Sequence, residues 1–195
     1  MTRTMRAPRR SGGFTLIELM VTLAIAAVLM MVAVPSLTTF RRNAELTSAT
    51  NTLLASINAA RGEAMKRGRS AMVVANGTSW NAGWTVFVDT VATQTYSDAD
   101  VTVLVQPALT NFNVTGTPGS TATGTTPYLL FDASGYSKTK TGGFNALTLS
   151  ITPNFTTDAQ LSDQTRRVVI AATGRARSCK PTSASDTSCS ATSTQ

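Results

Sequence analysis

The 21 residues from Phe14 to Val34, FTLIELMVTLAIAAVLMMVAV, carry a single charge, Glu18. As a helix they would rise about 31 Å, which matches the hydrocarbon thickness of a bilayer. Arg3, Arg6, Arg9 and Arg10 all precede the run. Basic residues on that flank favour a cytoplasmic N-terminus with the remainder exported. A secretory signal peptide and a simple one-pass anchor are the plain readings. The run is too long for an ordinary signal peptide and is followed by PSLTTFRRN rather than a small-residue cleavage site. It also holds an acid at its fifth position. An unpaired carboxylate in hydrocarbon costs roughly 2.5–3.5 kcal/mol on insertion scales, so Glu18 needs a positive partner to persist there.

Composition narrows the chemistry. A chain of 195 residues suits one domain plus an anchor. It has no histidine, which removes the commonest general base and metal ligand. Cys179 and Cys189 cannot make a four-ligand zinc site by themselves. In an exported chain such a pair reads as a disulfide. Asp98 and Asp100 are too few ligands for calcium. No Gly-rich phosphate loop is present. The sequence therefore implies no metal, no cofactor and no catalytic residues. The net charge of +7 is unevenly spread. Without residues 1–13 there are thirteen basic against ten acidic side chains, or +3, and that excess clusters near the C-terminus.

Pro35 ends the apolar run, and a proline there removes a helix hydrogen bond and kinks the helix. Beyond it Leu46, Ala49, Leu53, Ile57, Ala60 and Ala64 recur at helical spacing, one apolar stripe. Lys66, Arg67, Gly68 and Arg69 have the composition of a C-terminal cap. One helix from about Thr15 to Lys66 is expected, its second half packing on a sheet. The pattern then shifts to short β-rich runs between turn signals. Strands are expected at 70–75, 84–88, 101–106, 111–114, 128–131, 146–152 and 167–171. Residues 115–127, TGTPGSTATGTTP, form a low-complexity loop with too little apolar surface to pack. The fold class is α+β, a long helix on an antiparallel sheet or sandwich.

Gly13-Phe14-Thr15-Leu16-Ile17-Glu18-Leu19 resembles the class III signal of type IV pilins and type II secretion pseudopilins at all seven positions. The resemblance implies cleavage between Gly13 and Phe14 by prepilin peptidase, followed by N-methylation of Phe14. It also implies that Glu18 pairs with the N-terminal amine of a neighbouring subunit during filament assembly. Segments 81–89 (NAGWTVFVD), 131–135 (FDASG) and 173–177 (TGRAR) resemble motifs of the FimT/GspH minor pilins. Four segments follow: 1–13 a leader, 14–35 a transmembrane helix, 36–69 its amphipathic continuation, and 70–195 a β-rich domain with a basic tail. Trp84, Phe87 and Phe131 are expected in the core, and Gly135 at a turn with positive φ. The resemblance places the chain in the inner membrane, single-pass, with a periplasmic domain that becomes extracellular in the pilus.

No acid lies between Asp163 and Asp186, an interval that holds Arg166, Arg167, Arg175, Arg177 and Lys180. A guanidinium is a planar fork of donors suited to phosphate, and residues two apart on an extended strand face the same side. In the FimT branch the G-R-x-R segment is associated with binding DNA during natural transformation. The resemblance thus implies sequence-independent DNA binding through Arg175, Arg177 and Lys180, with Arg166 and Arg167 in support. A solvated face, a pilus-assembly role without DNA, and a type II secretion pseudopilin are the competing readings. The expected partners are other pilin subunits, prepilin peptidase, DNA and the inner membrane.

Overall fold

A computed structural model describes residues 13–154, 164–183 and 185–194, apart from the side chains at 32 and 34–36. Except for Gly13, the expected leader lies outside the described residues. Helix α1 runs Leu16–Arg67, within two residues of expectation. Its assignment continues through position 35, whose side chain is not described. The described chain forms two compact units that divide after Arg42. In the first, Phe14, Leu16, Ile17, Met20, Leu23, Ile25, Val28 and Leu29 are all exposed. Among the described residues no helix is long and apolar enough to cross a membrane. Val32, Val34 and Pro35 of the expected span lie outside the described side chains.

The second unit is an α+β domain. The six stripe residues of α1 are all buried, Leu53, Ile57, Ala60 and Ala64 completely. Thr50 and Ser56 are buried beside them, and their hydroxyls donate to the carbonyls of Leu46 and Thr52 one turn back. Gly68 ends the helix at φ +63°, and the Arg69 N–H closes on the Ala64 carbonyl at 3.2 Å. This is the expected cap.

Among the described residues nine strands follow: β1 Ala71–Ala75, β2 Trp84–Val88, β3 Val101–Gln106, β4 Phe112–Gly116, β5 Tyr128–Phe131, β6 Ser137–Lys138, β7 Leu147–Pro153, β8 Arg166–Ile170 and β9 Ala176–Cys179. They form two antiparallel sheets, ordered β3-β2-β1-β5-β6 and β4-β7-β8-β9. Strand alternation divides the apolar residues between faces. Ala71, Val73, Trp84, Val86, Leu129 and Phe131 share one core with the stripe of α1 and with Leu147, Leu149, Ile151, Val168 and Ile170. Met72, Phe87 and Leu130 form a smaller cluster on the other face of the first sheet.

One expectation is corrected. The 115–127 loop does pack: Ala122 is buried in the main core, and the Trp80 indole N–H donates to its carbonyl at 2.9 Å. A single alanine and a borrowed indole suffice there because Gly116 lets the loop backbone close onto its own strand. Strands β6 and β9 were not expected. Neither has the apolar alternation that marks a half-buried strand.

Candidate nucleic-acid interface

Two turns carry the resemblance motifs, and the fold brings them together. The β5–β6 turn is held by Asp132, whose Oδ1 accepts the N–H groups of Ser134 and Tyr136. The β8–β9 turn closes through Gly174 N–H to Ala171 O and Ala171 N–H to Arg175 O, at 2.8 and 2.9 Å. Both turns need a glycine with positive φ, Gly135 at +79° and Gly174 at +76°. A Cβ at Gly174 would collide with the Gly135 carbonyl and lie 2.9 Å from Arg61 Nε. Arg61, on α1, joins the two turns. Its Nε donates to Gly135 O at 3.0 Å and its Nη2 reaches Thr173 O at 3.4 Å. The fork geometry of one guanidinium thus fixes both turns to the helix.

Arg175 is exposed on this clamped turn, immediately before β9, and its guanidinium has no hydrogen-bond partner among the described residues. Arg177 lies on β9 opposite Val169, is half-buried, and donates to Ser188 O at 2.8 Å. Arg167 lies on β8 opposite Cys179 and donates to Cys189 O. Its Nε is buried without a hydrogen-bond partner among the described residues. Burial lowers the Arg167 pKa, and Asp186 opposes that shift. Arg166 donates to Thr165 O at 2.9 Å, and Lys180 is exposed just past β9.

The disulfide Cys179–Cys189 is formed. It folds the tail back over the second sheet. The Thr148 hydroxyl donates to Ser193 O at 2.6 Å and the Thr117 hydroxyl to Ala191 O at 2.9 Å. Thr148 and Val169 alternate with core residues and so face away from the core, yet both are buried. At Thr148 the tail supplies part of that cover. Asp186 organises the closed loop. The Thr182 N–H, the Ser188 and Thr182 hydroxyls and the Cys189 N–H hold its carboxyl well below the usual range. An acid therefore folds back beside a segment that looks uniformly basic along the chain.

Arg175, Arg177 and Lys180 follow one another along β9 and its flanks. Arg166 and Arg167 lie on the adjoining strand, with Arg167 and Arg177 also anchoring the tail. Sequence reasoning did not find Arg61. It sits four residues after Ile57, at the rim of the stripe, where an arginine can reach over the sheet edge; that spacing was the available signal.

The sequence matches the family described as "Type II transport protein GspH" over residues 49–174. It matches the "Prokaryotic N-terminal methylation motif" over residues 8–34. Comparison with curated proteins returns no match. Among solved structures, the chain is similar to the type IV minor pilin FimU of Pseudomonas aeruginosa, at TM-score 0.53 and 20% identity. That match covers 71% of this chain and 90% of FimU. It is also similar to the minor pseudopilin EpsH of the Vibrio cholerae Type 2 Secretion System, at TM-score 0.48 and 17% identity, covering 71% of this chain and 99% of EpsH.

Proposed function

From the premise that this chain belongs to the GspH family of type II transport proteins, we propose that it is a FimT-like minor pilin that binds extracellular DNA, without sequence preference, for uptake in natural transformation. The family is one of pilins and pseudopilins, filament subunits rather than enzymes. The observation that carries the DNA reading is Arg175: an exposed guanidinium on a turn whose backbone is tied down at Gly135 and Thr173 by Arg61. The fixed backbone sets where the side chain starts, and the planar fork of donors loses less entropy per hydrogen bond to a phosphate than a point ammonium would. Arg177 and Lys180 extend the charge along β9, and Arg166 and Arg167 support it from β8.

The test is a mobility-shift titration of the detergent-solubilised full chain with unrelated duplexes across a salt series. Affinity is expected to be independent of sequence and to fall steeply with salt. Arg175→Gln with Arg177→Gln should flatten the log–log salt slope by about 2, near 0.9 for each phosphate no longer neutralised. Binding that survives the double substitution removes the site. No binding even at low salt favours a structural minor pilin that primes assembly. That second reading has its own support, because Arg167 and Arg177 already serve tail carbonyls. A secretion pseudopilin draws support from the description of the family itself.

Residues 1–13 serve as the leader, cleaved by prepilin peptidase between Gly13 and Phe14, with Phe14 then N-methylated. Residues 14–35 anchor the subunit in the inner membrane as a single span. Residues 36–69 continue the helix, and residues 70–195 form the periplasmic domain that becomes extracellular in the pilus. Glu18 pairs with the new amine of an adjacent subunit's first residue, since a lone carboxylate in the apolar run costs roughly 2.5–3.5 kcal/mol. Glu18→Ala should therefore largely abolish incorporation, measured by immunoblotting sheared filaments, while total protein stays at wild-type levels. Incorporation at the wild-type level would discard the pairing role.

A further inference from the structure

Beside Gly135, on the far side of the glycine contact from Arg175, the surface changes character. Tyr136 is 41% exposed and Phe144 65% exposed. Their rings meet edge to face at 5.7 Å and 70°. The Lys138 ammonium stands 3.5 Å from the centre of the Phe144 ring. Lys138 and Phe144 are also bridged through the backbone. Lys140 donates its N–H to the Tyr128 hydroxyl at 3.0 Å, and its ammonium lies 5.0 Å from that ring's centre. Tyr136, Lys138 and Lys140 recur at every second residue, the spacing that puts side chains on one face of an extended segment.

This platform is built into the same turn system as Arg175. Ser137 N–H donates to Ala172 O at 3.0 Å, so β6 is stitched to the β8–β9 turn. Gly135 and Gly174 are in contact, and Tyr136 and Arg175 are their next residues. Asp132 is the one acid between Asp100 and Asp158, and its Oδ1 accepts the backbone amides of Ser134 and Tyr136.

We infer that Tyr136 and Phe144, with Lys138 and Lys140, form a stacking platform for the unpaired bases of single-stranded nucleic acid whose phosphates are held by Arg175. The inference rests on the DNA reading above and gives it a substrate form. In a duplex each base face is covered by its neighbours, so exposed rings have nothing to stack on. A single strand presents those faces, and aromatic side chains interleaved with cations hold it without reading sequence. Exposed rings beside lysines answer both halves of such a ligand, base and phosphate.

The experiment is a fluorescence-anisotropy titration of the detergent-solubilised full chain with labelled oligo(dT) and with a duplex of equal length. Tyr136→Ala with Phe144→Ala should weaken oligo(dT) binding by about five- to tenfold or more and leave duplex affinity unchanged. Tyr136→Phe, which keeps the ring, should bind oligo(dT) as wild type does. Both replaced residues are exposed, so circular dichroism should report an intact fold. Equal loss on both ligands, or no loss on oligo(dT), overturns the platform. Duplex binding without oligo(dT) binding also overturns it but leaves the DNA reading standing. Ring-dependent oligo(dT) binding that ignores Arg175→Gln keeps the platform and removes the phosphate assignment. Binding of neither ligand at low salt removes both. Unchanged oligo(dT) binding with impaired filament incorporation would make this face a subunit interface instead.

Discussion

Replacing Gly174 by alanine is expected to lower the stability of the domain by about 2–4 kcal/mol, seen as a fall of roughly 10 °C in Tm. Two costs add. At φ +76° an alanine sits in a left-handed conformation, worth about 1 kcal/mol. The new Cβ would also collide with the Gly135 carbonyl, lie 3.0 Å from the carbon of that carbonyl, and lie 2.9 Å from Arg61 Nε. These neighbours are backbone and a guanidinium already engaged in two hydrogen bonds, so the turn itself must move, and such overpacking costs roughly 1–3 kcal/mol or more. Gly119→Ala is the control. Gly119 has φ +74° but nothing within 4 Å of an added Cβ, so only the conformational cost applies. Equal losses for the two variants, measured by urea denaturation, would mean that the two turns do not touch as described. On the proposed DNA reading, displacing the turn would also weaken duplex binding while every arginine is retained.

Ile57→Ala is expected to cost about 3–4 kcal/mol, within the usual range for truncating a fully buried aliphatic side chain. Ile57 is at 0% exposure in the core shared by α1 and both sheets. The cavity left would be lined from several elements that cannot all collapse into it. Asn58, the next residue, is exposed, and Asn58→Ala should change stability by less than about 0.5 kcal/mol. A loss below about 1 kcal/mol for Ile57→Ala, read from denaturant midpoints at constant m, would show that the helix stripe does not anchor the sheets.

Much of this architecture is legible before any coordinates. The stripe from Leu46 to Ala64 has helical period, and all six residues are buried. Seven of the strands carry β-branched and aromatic runs and appear within two residues of expectation at each end. Trp84, Phe87 and Phe131 are fully buried, and the two cysteines are joined. The short strands β6 and β9 escape such reading because neither carries an apolar alternation; each is defined only by its pairing with the strand before it, β5 and β8. The candidate site is legible only in part. The arginines could be named, but whether each is exposed or occupied could not. Arg175 and Arg177 are two residues apart, yet one is exposed on a turn and the other donates to Ser188. Asp186 lies at the end of the acid-free interval in sequence and close to Arg167 in space.

What the sequence determined by itself is periodic and local: a helix with one apolar stripe, strands with alternating burial, a glycine-capped helix end, and an N-terminal run with one acid that marks a filament subunit. These depend on neighbours within a few residues, which share a face whatever the rest of the chain does. Only the tertiary structure decided that Arg61 joins residues 135 and 173, that Gly174 rests on Gly135, and that the tail returns to Thr117 and Thr148. It also decided that Tyr136 meets Phe144 and that the turn before Tyr136 rests on the turn carrying Arg175. Each depends on contacts between segments far apart in sequence, and no spacing along the chain encodes which of them will meet.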